Sequence, residues 1–266
     1  MLERPPSREV SVRSISALSK EWDQLASIRH QELQDGSDVS FSEVLVPELL
    51  KQIRPAKPRS ILDFGCGTGV LTEILASQHD NVVGVDPSSK SIQIAQGSPQ
   101  RKAQYHLESI ESYAQQNRSA RFDAIVGNMT IMDVPDLRSA LTACHQLCRD
   151  GGLVCLTLTH PNFWPTYWEY DSEEWFDYGR EIFIEAEFKI TKHHSGLYTT
   201  HVHRPLSMYI ATAAKCGLSL LELTEPLPSK STESLYGIKW KFPRFLILTF
   251  VRRSEQSDSL QTTPLW

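Results

Sequence analysis

Apolar residues recur along this chain with two different periods. Between residues 18 and 33 they fall at helical spacing, carried by Leu18, Trp22, Leu25 and Ile28. A second helical segment covers 41–53 and ends at the loop RPAKPRS, whose two prolines stop it. From residue 61 short apolar runs alternate with helical stretches. ILDF (61–64), NVVGVD (81–86), KAQYHL (102–107), FDAIVG (122–127) and GLVCLTLT (152–159) read as strands, with helices over 88–96 and 136–148 among those between them. Strands separated by helices at this spacing predict βαβ units and a parallel sheet. The alternation breaks at His160. Residues 163–178 hold eight aromatics, after which EIFIEAEFKI and LYTTHVHR alternate with period two around TKHHSG, the pattern of an antiparallel hairpin. A helix starting at Pro205, a strand LSLLEL (218–223) and a last strand RFLILTFV (244–251) resume the α/β pattern. Residues 160–204 are thus an aromatic-rich insertion after the fifth strand.

Composition narrows the class. The chain has 266 residues, 40% hydrophobic and 22% charged, enough to build a core and too apolar for a disordered chain. Its net charge of −5 argues against a nucleic-acid partner, and no stretch approaches the ~20 apolar residues that span a bilayer. Residues 1–17 are polar and Arg/Ser-rich and read as a mobile terminus without a signal peptide, so the expected compartment is the cytoplasm. The five cysteines are scattered and lack the paired clusters of a zinc site, so they read as buried hydrophobes and no metal is expected. The organisation expected is an N-terminal helical extension (1–54), a single domain (55–253) carrying the 160–204 cap, and a C-terminal tail (254–266).

The informative motif is Asp63-Phe64-Gly65-Cys66-Gly67-Thr68-Gly69, directly after the first strand and opening a helix. Glycines there let the backbone turn sharply and approach a ligand. A dinucleotide fingerprint would place its third glycine at Val70, and no Gly-Lys-Ser/Thr follows for a phosphate loop. A carboxylate beside the loop is awkward next to a pyrophosphate and comfortable beside a sulfonium or ammonium. Asp86 ends the second strand, 21 residues after Gly65, where a carboxylate accepts hydrogen bonds from ribose hydroxyls. With Pro87 and Ser88 following, it can equally cap the next helix.

LDFGCGTG, VVGVD and FDAIVGNMTIMDVPDL in this order resemble class I S-adenosylmethionine-dependent methyltransferases, closely over about 55–160 and more loosely to the end of the last strand. The resemblance implies a Rossmann-like, seven-stranded α/β sheet with helices on both faces and its last strand antiparallel at the sheet edge. It also implies S-adenosylmethionine as cofactor. Gly65, Cys66 and Gly67 would pass under its methionine part with Asp63 nearby, and Asp86 with Pro87 would meet the ribose. Glu108, Ser109 and Ile110 would lie at the adenine, and Asn128 with Met129 near the methionine moiety and the reaction centre.

Asn128-Met129-Thr130-Ile131 departs from the Asn/Asp-Pro-Pro-aromatic signature of amino-methylating nucleic-acid enzymes, and Cys155 lies mid-strand, away from where a pyrimidine-attacking thiol belongs. The remaining expectation is a small-molecule methyltransferase, foremost an O-methyltransferase of a natural-product-like metabolite. N- or C-methylation, a tRNA or rRNA methyltransferase and an NAD-dependent oxidoreductase are the alternatives. Phe163, Trp164, Tyr167 and Trp168 would enclose the acceptor, or form a local core or a homodimer contact. His160 and His203 are the candidate general bases, each equally readable as a strand-end histidine capping a turn, and His201 shares a hairpin face with His203. Arg204 could clamp a carboxylate on the acceptor or pair with an acid.

Overall fold

The computed structural model describes residues 7–190 and 193–253. The chain runs β1 (Arg8–Val10), α1 (Ile15–Gln34), a π-helical turn (Phe41–Leu45), α2 (Val46–Ile53), β2 (Ser60–Phe64), α3 (Val70–Ala76), β3 (Asn81–Asp86), α4 (Ser89–Gly97), β4 (Gln104–Leu107), α5 (Ile110–Gln116) and β5 (Phe122–Asn128). A 3₁₀ turn (Ile131–Asp133), α6 (Leu137–Leu147), β6 (Cys148–Thr159), α7 (Trp164–Trp168), β7 (Ile182–Ile190), β8 (His193–His203), α8 (Leu206–Lys215), β9 (Leu218–Thr224), α9 (Lys230–Tyr236) and β10 (Phe245–Arg252) follow.

Seven strands form one sheet in the order β4-β3-β2-β5-β6-β10-β9. β4, β3, β2, β5 and β6 run parallel, and β10 runs antiparallel to both β6 and β9. The last strand is therefore antiparallel as expected, but it does not lie at the edge. It inserts between β6 and β9 and leaves β9 outermost, which a linear reading of strand order could not show. Alternate residues of each strand feed opposite faces. Leu62, Val83, Ile125 and Leu156 pack with residues of α5, α6 and α8, whereas Ile61, Val82, Ala124 and Cys155 pack with residues of α2, α3 and α4. Strand order reverses between β2 and β5, so a crevice opens outside their carboxyl ends.

The insertion builds a second sheet, β1-β7-β8. Its third strand corrects the expectation of a mobile terminus: Arg8, Glu9 and Val10 pair with Glu185, Ile184 and Phe183, and α1 starts at Ile15 with the Ser14 hydroxyl accepting from Ala17 N–H at 3.2 Å. A three-residue strand whose partner lies some 170 residues away leaves no local periodicity to read. The Asp136 carboxylate caps α6, accepting from Ser139 N–H at 3.0 Å. Residues 1–6, residues 191–192 of the expected TKHHSG turn and the expected tail 254–266 lie outside the described residues. Among the described residues no helix is long and apolar enough to cross a membrane.

Candidate active site

The glycine turn after β2 is held from below and open above. Gly65 has φ +64°, and a Cβ there would stand 1.7 Å from Thr130 Oγ1, so the backbone needs both the positive φ and the missing side chain. Gly67, at φ +54°, has nothing within 4 Å of where its Cβ would be, which keeps that side of the loop clear. Gly69, also at positive φ, is the residue from which α3 starts. Asp86 ties this turn to β3: Oδ2 accepts from Gly67 N–H at 2.9 Å and Oδ1 from Ser88 N–H at 2.7 Å. The Thr72 hydroxyl donates to Asp63 at 2.7 Å. Burial pushes the Asp63 carboxyl up to about 7, the Thr72 bond opposing and Asp86 adding to the shift. Burial likewise pushes Asp86 up to about 6 against its two backbone donors.

At the end of β5, Asn128 Oδ1 accepts from the Thr157 hydroxyl at 2.8 Å. Met129 sits at φ +54°, a strained conformation held by its N–H bonding to Thr157 Oγ1 at 2.9 Å and Thr157 O at 3.1 Å.

Asp63, Gly65, Gly67, Asp86, Asn128, Met129 and Thr130 line one cavity of about 980 Å³. Of the positions expected to hold the cofactor, Asp63, Gly65, Cys66, Gly67, Asp86, Pro87, Ser109, Ile110, Asn128 and Met129 all reach it. Glu108 does not. Its carboxylate accepts from Ser112 and Gln116 at 3.1 and 2.7 Å along α5, and the acid lining the cavity there is Glu111. The residues present fit S-adenosylmethionine: buried carboxylates near a clear glycine face suit ribose hydroxyls and a positive charge.

The cavity also has aromatic lining. Trp164, Tyr167 and Trp168 of α7 line it with Phe188 and Phe245, and the Arg244 guanidinium stacks 4.1 Å from the Tyr167 ring and 4.3 Å from Trp240. Phe163 turns away and stacks on Phe242 at 5.3 Å. The candidate bases are also placed elsewhere. His160 is buried, with Nε2 2.8 Å from Glu225 and Nδ1 accepting from Asn162 N–H, and it does not line the cavity. His203 donates from Nε2 to Tyr178 O at 3.1 Å and packs against Phe176, outside the cavity lining. Arg204 is 1% exposed and its guanidinium bonds Glu181 and the carbonyls of Ile131, Val134 and Pro135. It braces the loop after β5 rather than facing an acceptor.

Several lining groups went unread in the sequence. α1 forms a wall through Leu18, Trp22, Ala26 and Arg29. It is fastened there by Asp23 accepting from Ser88 Oγ (2.7 Å) and Lys90 N–H (2.9 Å), by His30 on Thr68 Oγ1 (3.1 Å), and by Glu21 accepting from Thr200 N–H (2.7 Å). Asp133 and His201 are further titratable groups in the lining. Burial pushes the Asp133 carboxyl well up, with Glu21 adding to this and the Trp22 side chain hydrogen-bonding to it. Burial lowers His201 to about 4, aided by His203. The signal for His201 was strand alternation, which places it on the same face as Thr199.

Residues 40–204 match the family described as a methyltransferase domain. The chain belongs to that methyltransferase family. Over 108 residues it is 35% identical to a ubiquinone biosynthesis O-methyltransferase of Aromatoleum aromaticum, covering 40% of this chain and 46% of that protein. Over 161 residues it is 30% identical to the mitochondrial ubiquinone biosynthesis O-methyltransferase of Mus musculus, covering 57% and 43%. The match thus spans less than half the length of either relative. Among solved structures it resembles a S-adenosylmethionine dependent methyltransferase of Mesorhizobium loti (TM-score 0.56, 17% identity, 77% of this chain and 96% of that one). It also resembles the 1,6-didemethyltoxoflavin-N1-methyltransferase of Burkholderia thailandensis (TM-score 0.56, 15% identity, 93% and 95%). At these identities the two structures establish the shared fold.

Proposed function

We propose that this methyltransferase uses S-adenosylmethionine to methylate a hydroxyl of a small, ring-containing molecule. The observation that carries the reading is the continuity of one cavity, from the glycine turn and Asp86 to the aromatic wall of Trp164, Tyr167 and Trp168. Relatives named O-methyltransferases support the choice of oxygen. When bound, the cofactor supplies an electrophilic sulfonium methyl group, whose bonding pair leaves with sulfur. The chain's part is to position. Asp86 holds the ribose hydroxyls, the Gly65–Gly67 backbone and Asn128 border the methionine portion, and the strained Met129 backbone keeps that border fixed. The aromatic wall orients a flat acceptor and excludes water, and alignment of acceptor with methyl group accounts for much of the rate such a transfer gains.

In this reading residues 55–253 are the catalytic unit, 160–204 its cap, and 1–54 an extension supplying part of the wall. The compartment is the cytoplasm, and a homodimer through the cap is tested by light scattering. The deciding experiment combines calorimetry of S-adenosylmethionine and S-adenosylhomocysteine binding with transfer of a labelled methyl group to a panel of phenols, catechols and amines. Labelled aryl methyl ethers are the expected products; labelled N-methyl products alone would move the assignment to nitrogen, and tight NAD binding without S-adenosylmethionine binding would end it.

A further inference from the structure

Six buried side-chain polar atoms among the described residues lack a hydrogen-bond partner, and only two of them, Trp168 Nε1 and His201 Nε2, belong to residues that line the cavity. Buried polar atoms are as a rule paired, because an orphaned one forfeits its hydration without replacement. The two residues flank the same apolar cluster. Trp168 packs against the group formed by Tyr170, Ile182 and Ile184, while His201 lies opposite Ile184 in the β7–β8 ladder with its ring 6.4 Å from that of Tyr170. Both belong to the cap, Trp168 to α7 and His201 to β8, and not to the elements that carry the glycine turn and Asp86.

Their chemistry is complementary. An indole N–H only donates, whereas Nε2 of a neutral imidazole carrying its proton on Nδ1 only accepts. Burial keeps His201 in the neutral form, with His203 opposing its protonation. A carbonyl, ether or carboxylate satisfies the indole alone. A hydroxyl satisfies both atoms, accepting from one and donating to the other. We infer that Trp168 Nε1 and His201 Nε2 form the docking pair for the acceptor hydroxyl, with Nε2 the atom that receives the proton this hydroxyl loses when its oxygen is alkylated. Both atoms are buried, so an entering hydroxyl reaches them only as the side chains around them shift.

This inference rests on the reading of the cavity as one that methylates a hydroxyl, and its test separates the two. The full chain, ¹⁵N-labelled and mixed with S-adenosylhomocysteine, is titrated with phenol, anisole and toluene. Phenol should move the Trp168 indole and His201 imidazole resonances, identified by their loss in Trp168→Phe and His201→Phe. It should also bind about tenfold more tightly than toluene, although toluene leaves water more readily. Anisole, which only accepts, should move the indole signal alone. In His201→Phe the preference for phenol should disappear, with cofactor affinity reporting that the fold is intact. Equal binding of phenol and toluene to the unmodified chain, or phenol leaving both resonances in place, overturns the pairing. If S-adenosylhomocysteine itself does not bind, the methyl-transfer reading falls, and the same titration on the chain alone still decides whether these atoms hold a hydroxyl.

Discussion

The Asp86 carboxylate accepts a hydrogen bond from Gly67 N–H at 2.9 Å, so the tip of β3 fixes the glycine turn that follows β2. Its other oxygen takes Ser88 N–H at 2.7 Å. The two readings open in the sequence, ribose ligand and helix cap, are therefore compatible on one side chain, since each oxygen keeps a second lone pair.

Asp86→Ala should weaken S-adenosylhomocysteine binding by roughly 10- to 100-fold, the size of losing one or two hydrogen bonds to a charged group. Calorimetry checks this, and unchanged affinity would remove Asp86 from the cofactor site. Asp86→Asn should fall between, because its amide nitrogen cannot accept from a backbone N–H.

The raised carboxyls of Asp63 and Asp86 fix the sign of a pH effect. A carboxyl whose folded pKa lies above its unfolded value binds more protons in the native state, so its contribution to stability is full below 3.8 and is lost as pH rises through about 7 for Asp63 and about 6 for Asp86. Asp63→Asn should flatten the fall of Tm between pH 4 and 7 relative to the unmodified chain; parallel Tm curves would show that Asp63 does not titrate there. Binding a cationic cofactor favours the ionised forms, so affinity should drop as pH falls below 7 and binding should release protons. Calorimetry in two buffers of different ionisation enthalpy measures that release.

Most of the cofactor half was legible in the sequence because it is local: strand, turn and strand-tip acid lie within one βαβ unit whose geometry fixes their spacing. Ten of the eleven positions expected there line the cavity. The miss, Glu108, follows from one turn of helix, since its neighbours Ser112 and Gln116 capture its carboxylate. Much of the remaining lining is assembled from α1, α7, β8 and β10, and nothing local distinguishes His201, which lines the cavity, from His203 two residues on. Arg204 illustrates the same limit. An arginine beside a hairpin end reads equally as an anion clamp or as the partner of an acid, and the fold shows it on Glu181 and three backbone carbonyls.

Gly65 and Gly67 separate fold from ligand. Gly65→Ala drives a Cβ into Thr130, so Thr130 and the loop after β5 must shift, and the positive φ adds about 1 kcal/mol of strain. Gly67→Ala carries similar backbone strain but meets no protein atom, and its methyl occupies the clear face of the turn. Gly65→Ala should therefore lower Tm by more, whereas Gly67→Ala should lose cofactor affinity out of proportion to its Tm. Equal ratios of affinity loss to Tm loss in the two variants would contradict the assignment of Gly67 to the cofactor face.

Arg204 should behave as a brace. Arg204→Met keeps length and apolar bulk but leaves the Ile131, Val134 and Pro135 carbonyls and the Glu181 carboxylate without their donor. Glu181 is 39% exposed and recovers part of its loss from water, whereas the carbonyls depend on the guanidinium. A cost of about 3 kcal/mol follows for a buried cation with several partners, or roughly 6–12 °C in Tm for a domain of this size. S-adenosylhomocysteine affinity, measured below the transition, should stay within a few-fold of the unmodified chain, because Arg204 lines no part of the cavity. The opposite pattern, an unchanged Tm with selective loss of binding for carboxylate-bearing acceptors, would return Arg204 to the role of an anion clamp.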